Sequence, residues 1–155
     1  MTAAIAALIV ATLSAAAIHQ GLAARTLAAG QADRQAALSA SRHLITNMFS
    51  LDHRTADRDI GRALSGLTGK AREEFVAATP KLKSQLVQRR TTSTITVLAT
   101  GLTSLKGDSA RTLVTADGTV RTPEVPKGAT KYYRWSLDLT RTDDRWLVSS
   151  LTLVP

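Results

Sequence analysis

The sequence predicts an α+β fold: an N-terminal transmembrane helix, then a domain of about three helices packed on a curved antiparallel sheet of about four strands. Three observations carry that expectation. No charged residue occurs from Ala3 to Ala24, and Ala3–Ile18 is almost wholly apolar. Apolar residues recur at helical spacing up to about Arg90 and alternate with polar ones beyond it. All the helical signals precede all the strand signals, which is the order of an α+β chain.

The apolar stretch comes first. At about 1.5 Å rise per residue, about twenty residues span a hydrocarbon core of about 30 Å. Residues 3–24 are therefore expected to form an anchor (domain 1–24) and to make the bilayer a partner. The segment is rich in Ala and Thr, with His19, Gln20 and Gly21 near its end, so its insertion is marginal. A cleaved signal peptide is a weaker reading. Ser14, Ala15, Ala16 and Ala17 supply small residues for cleavage, but only Met1 and Thr2 precede the run, without a cationic region. A buried soluble helix is weaker still. Arg25 and Arg34, the first basic residues after the span, would by the positive-inside tendency hold the C-terminal side in the cytoplasm. Long domains translocate largely regardless of such charges, so topology does not follow from charge alone.

The second expected domain is 25–155, with helices over 25–89 and the sheet over 91–155. Leu38, Leu44, Ile45, Met48 and Phe49 recur at helical spacing, and Asp52–Thr55 ends that helix. A second helix is expected from Thr55, a candidate N-cap with Asp57 and Asp59 in its first turn, to about Ser65-Gly66. A third starts after Thr68-Gly69, with Phe75, Thr79, Leu82 and Leu86 along one face. Pro80 interrupts it, which predicts a kink or two short helices, because proline lacks the amide donor and clashes with the preceding turn. Thr92–Ser104 and Ala110–Ala116 read as strands joined by a tight turn at Lys106-Gly107-Asp108. Thr122–Gly128, with two prolines and a glycine, reads as a loop. Lys131–Arg141 and Trp146–Val154 then form a second hairpin around Thr142–Arg145, with Trp146, Val148 and Ser150 on one face and Leu147, Ser149, Leu151 and Leu153 on the other.

Composition excludes several functions. The chain has no cysteine, so disulfides, thiolate metal sites and a cysteine nucleophile are absent. The net charge is +8, but the basic residues are interspersed with acids, and only Arg89-Arg90 are adjacent basics. No aromatic platform is interleaved with the basic helical half, which argues against nucleic acid. A solvated basic face explains the excess, and attraction to anionic headgroups or an acidic partner is the sharper alternative. His19, His43 and His53 have no metal-ligand spacing. His53 beside Asp52, Asp57 and Asp59 is the only conceivable cluster, and helix capping explains those acids. Gly66-Leu67-Thr68-Gly69 lacks the lysine and hydroxyl order of a phosphate loop.

Leu67-Thr68-Gly69 leading to Phe75, the strand Ser109-Ala110-Arg111-Thr112-Leu113-Val114, and the ending Asp143-Asp144-Arg145-Trp146-Leu147-Val148-Ser149-Ser150-Leu151 carry a resemblance. The order of elements is similar to the cone-shaped fold of nuclear transport factor two-like proteins. Within that group the chain resembles the Mce-associated membrane proteins of mycobacteria and their relatives. The resemblance implies a single-pass protein of the cell (inner) membrane with its C-terminal domain on the extracytoplasmic side. It also implies a non-catalytic accessory or stabilising subunit of a Mce-type lipid importer, with Mce-family proteins and their permease as partners and lipid cargo as a further contact. The fold is also similar to the inner-membrane assembly subunit of type IV secretion systems, so an assembly subunit of a secretion system is an alternative. Many relatives carry a charged tail before the span where this chain has Met1-Thr2, so the tail is dispensable or the start lies upstream.

The same cone supports enzymes, and a small-molecule-binding or catalytic domain is the other alternative. Proton shuttling there needs a carboxylate in an apolar cavity with a tyrosine or second acid beside it. Asp138, Tyr132 and Tyr133 are the candidates. Asp138 shares a face with Ser136 and Thr140, the pattern of a solvated outer face, and Tyr132 and Tyr133 point to opposite sides. No catalytic residue, cofactor or metal is expected. Trp135, Trp146, Arg89 and Arg90 are the candidate partner or lipid contacts, with core packing the competing explanation for the two tryptophans.

Overall fold

The helical spacing of the first segment is realised as a helix over residues 29–49 (α1) in the computed structural model, which describes residues 29–155. The expected span, residues 3–24, lies outside the described residues. Among the described residues no helix is long and apolar enough to cross a membrane. The chain divides into two units, Met1–Gln35 and Ala36–Pro155, and the second holds the whole sheet and the helices from Ala36 onward.

On α1 the buried positions are Ala37, Ser41, Leu44 and Ile45, the i, i+4, i+7, i+8 stripe of an amphipathic helix. Ser41 is the polar member. Its hydroxyl donates to the Ala37 carbonyl at 2.9 Å and lies 2.7 Å from the buried Thr112 hydroxyl on the sheet. Helix α2 (Ala56–Leu64) starts at Thr55 as expected and buries Ile60 and Ala63. The Thr55 hydroxyl does not cap a backbone amide, however; it donates to the Asp59 carboxylate at 2.8 Å. Helix α3 (Gly69–Gln88) runs through Pro80 as one helix, so the expectation of two short helices is corrected. Pro80 and Val76 both lie on the exposed face, where water can satisfy the carbonyl that Pro80 leaves without a donor.

Strands β1 (Thr92–Lys106), β2 (Ser109–Thr122), β3 (Val125–Thr142) and β4 (Arg145–Leu153) form one sheet in the order β1-β2-β3-β4, each pair antiparallel. Gly107 takes φ +53° at the β1–β2 turn, and Asp143 and Asp144 take +49° and +58° at the β3–β4 turn. Positive φ at such positions matches the turn to the strand twist. The expected loop Thr122–Gly128 is corrected: only Pro123-Glu124 turns, and Pro126 lies within β3. β4 pairs with β3 only from Trp135 onward, so at Pro126 β3 has one strand neighbour and the missing amide donor costs little. The register slips between Val120 and Thr122, and Gly128 takes φ +82° there.

Strict alternation in the last strand also fails. A bulge at Ser149 sets Val148 opposite Leu139 and Leu151 opposite Leu137, so Leu151 joins Val148 on the core face. Two further slips, at Leu98 and Thr103 in β1, bend that strand. The core face presents Val114, Leu137, Leu139 and Val148 to Leu44, Ile45, Ile60 and Phe75. Two helix connections are pinned to the sheet: the Ser93 amide donates to the Leu51 carbonyl at 2.8 Å, and the Thr68 amide to the Val148 carbonyl at 2.9 Å. The second tie holds the start of α3 against β4, and the first holds the exit of α1 at the end of the core face where β1 begins.

Candidate functional site

At that end the helices leave a cavity of about 310 Å³. Met48, Phe49 and Leu51 line it from α1 and its exit, Phe75, Leu82 and Leu86 from α3, and Ile95, Gly118, Val120 and Tyr133 from the sheet. Thr91, Ser93, Thr94 and Thr119 supply the other polar groups. No Asp, Glu, His, Lys or Arg lines it. The Ser93 hydroxyl is already engaged, accepting from the Leu51 amide at 3.2 Å. Such a lining suits an apolar occupant and offers no carboxylate or imidazole for proton transfer.

Gly118 keeps the cavity floor low. A Cβ there would come within 2.9 Å of the Tyr133 ring carbon Cε2 and 3.9 Å of Ile95. Tyr133 and Trp135, two apart on β3, project to the same face and stack at 5.1 Å between centroids, with Phe49 stacked on Trp135 at 4.8 Å. The paired tyrosines divide as expected: Tyr133 packs on the core and Tyr132 is 81 % exposed.

The four candidate contact residues fall in two places. Trp135 and Trp146 are 4 % and 6 % exposed and belong to the core. Trp146 has an indole nitrogen without a hydrogen-bond partner, and the Arg141 guanidinium lies 5.8 Å from its ring centre. Arg89 and Arg90 are exposed at the end of α3, directly before the cavity-lining Thr91. A smaller hollow of about 240 Å³ shares Leu82, Leu86 and Thr91 with the cavity and adds Gln85 and Arg89. Opposite Arg89, the Glu124 carboxyl sits below its usual value, chiefly because the Thr122 hydroxyl donates to it, with its own amide and the Arg89 charge adding. The structure thus brings Arg89, but not the tryptophans, to the edge of the cavity.

The carboxylates singled out in the sequence serve local structure. Asp138 pairs with Arg111 at 2.6 Å, on the side of the sheet away from the helices. Asp59, 2 % exposed, accepts from the Asp52 amide at 3.0 Å, the Thr55 hydroxyl at 2.8 Å and Arg62 at 2.7 Å. Burial pushes its carboxyl up, but these donors outweigh burial and hold it below the usual carboxylate value. Among the described residues no group of three or more His, Asp or Glu could hold a metal ion. Sequence reasoning missed Gly118 and Phe49 as cavity formers, whereas Tyr133, a candidate there for the cone cavity, does line it. The available signal was a glycine between β-type residues, which marks a close approach inside a strand.

Similarity to known structures follows this architecture. The periplasmic domain of DotI superposes with a TM-score of 0.64 at 12 % identity, covering 76 % of this chain and 92 % of that one. An IcmL-like type IV secretion system protein of Legionella pneumophila gives 0.63 at 11 %, covering 76 % and 89 %. At such identities the likeness fixes the fold alone, three helices on a four-stranded antiparallel sheet. In sequence, a Mycobacterium tuberculosis protein, uncharacterized protein Rv1363c, is 27 % identical over 111 residues, which are 72 % of this chain and 42 % of that protein. This chain therefore spans less than half the length of that relative. The family described as uncharacterized protein Rv1363c/MT1408-like matches residues 1–155, and the chain belongs to it.

Proposed function

We propose that the domain is a non-catalytic assembly or stabilising subunit of a membrane-embedded envelope complex, held outside the cytoplasmic membrane by the segment 3–24. The observation that carries this reading is the fold shared with the periplasmic domain of DotI and with an IcmL-like type IV secretion system protein. It supports the secretion-type assembly subunit more directly than the Mce-type lipid importer, which rests on the sequence motifs alone. The cavity agrees with a non-catalytic role, because no carboxylate or imidazole lines it. Apolar side chains exposed in and beside a second groove, Leu98 (57 %), Tyr132 (81 %) and Leu153 (62 %), give a partner subunit surface to bury. Tethering raises the local concentration of the domain at its partner, so weak contacts suffice.

The test is mass spectrometry of what co-purifies with the C-terminally tagged full chain from its own membranes in mild detergent. Enrichment of membrane-embedded subunits of one secretion or transport complex is expected. Mce proteins and their permease among them would make the importer the complex concerned. No membrane protein enriched above an untagged control overturns the subunit reading.

A further inference from the structure

The cavity differs in kind from a packing defect. A dry apolar cavity of roughly 150 Å³ already holds benzene, and this one is about 310 Å³. Its walls are apolar, and its floor is kept open by Gly118, where a Cβ would press on the Tyr133 ring. Its rim is mainly basic. Arg89 and Arg90 precede the lining residue Thr91, and Lys131 lies directly opposite the lining Gly118 on the same sheet face. All three cations are exposed, and the Glu124 carboxylate lies near Arg89. Val120 itself is 41 % exposed, so the cavity reaches the surface at the β2–β3 hairpin, which carries Lys131.

We propose that this cavity is a binding site for a single-chain anionic amphiphile, its alkyl chain in the apolar hollow and its carboxylate at the rim between Arg89 and Lys131. An apolar chain needs the first feature and gains nothing from the second; an inorganic anion needs the second and gains nothing from the first. An alkyl carboxylate uses both. The site stands independently of the assembly reading, since a ligand can fill the cavity whether or not the domain holds a complex together.

The experiment is a titration of the full chain, held in amphipol, with the fluorescent fatty acid cis-parinarate, followed by displacement with dodecanoate or dodecanol. Saturable binding and displacement by dodecanoate are expected. Val120→Trp, which crowds the mouth at a part-exposed position, is expected to weaken binding at least tenfold. Arg89→Glu combined with Lys131→Glu is expected to weaken dodecanoate about tenfold while changing dodecanol less than twofold. Thermal unfolding of each variant reports folding, and the exposed charge reversals keep the test decisive if Val120→Trp does not fold. Equal binding by the wild type and Val120→Trp overturns the site. Dodecanol binding as tightly as dodecanoate, with both indifferent to the charge reversals, overturns the anionic headgroup.

Discussion

Arg90 stands where α3 ends, with φ +48°. Its amide donates to the Val87 carbonyl at 3.2 Å, and the Thr91 amide reaches the Leu86 carbonyl at 2.9 Å. That pair of bonds is the Schellman end of a helix, whose left-handed position is most often glycine. An L-residue there costs about 1–2 kcal/mol, of which glycine's greater freedom in the unfolded chain offsets about half. Arg90→Gly is thus expected to stabilise the domain by about 0.5–1 kcal/mol in denaturant unfolding. Gly118 shows the opposite constraint. Its conformation suits any residue, but the Tyr133 ring leaves no room for a Cβ. Gly118→Ala is expected to cost about 1–3 kcal/mol by overpacking. Combining it with Tyr133→Leu, measured in the same way, is expected to recover part of that loss.

Among the elements, α2 depends on its buried acid. Asp59 gathers the Asp52 amide, the Thr55 hydroxyl and Arg62, which ties the α1–α2 connection to the helix. Its carboxyl titrates lower in the folded chain than in the unfolded one. The stabilisation it gives is therefore complete above about pH 4, the unfolded value, and fades as pH falls through the folded value. Asp59→Asn is expected to lower stability at pH 7 by about 1–3 kcal/mol, by leaving buried donors poorly matched. It is also expected to flatten the acid limb of a stability-against-pH curve below about pH 4. The elements were legible in sequence to unequal degrees. Helix positions followed from Leu44, Ile45, Phe75 and Leu86, whose spacing states which side is buried. Strand extent did not follow around Pro123, Pro126 and Gly128, because a proline is harmful only where a neighbouring strand needs its amide, and that depends on how far β4 reaches. Nor did the facing of Leu151, since the bulge at Ser149 is a matter of register between two strands. The cavity was illegible for the same reason: Phe49, Gly118 and Tyr133 meet only through tertiary packing.

For the whole molecule the question is which large side chains hold the fold and which meet other molecules. Trp135 and Trp146 sit in the core beside Phe49 and Val148, whereas Tyr132 and Leu98 face outward and touch little of it. Removing a buried tryptophan ring costs about 3–5 kcal/mol, a large share of the roughly 5–15 kcal/mol that holds a domain folded. Trp135→Ala is accordingly expected to lower the thermal transition steeply and to lose co-purifying partners along with the fold. Tyr132→Ser removes an exposed ring, so its transition is expected to stay within about 0.5 kcal/mol of wild type. If the groove beside Tyr132 is where a partner subunit docks, that variant loses the partner while remaining folded. Circular dichroism melting of both variants, set beside their co-purification, separates the two roles. Partner loss by Trp135→Ala with an unchanged transition would mean that the ring leaves the core to meet the partner, and that the stack with Phe49 and Tyr133 opens on binding.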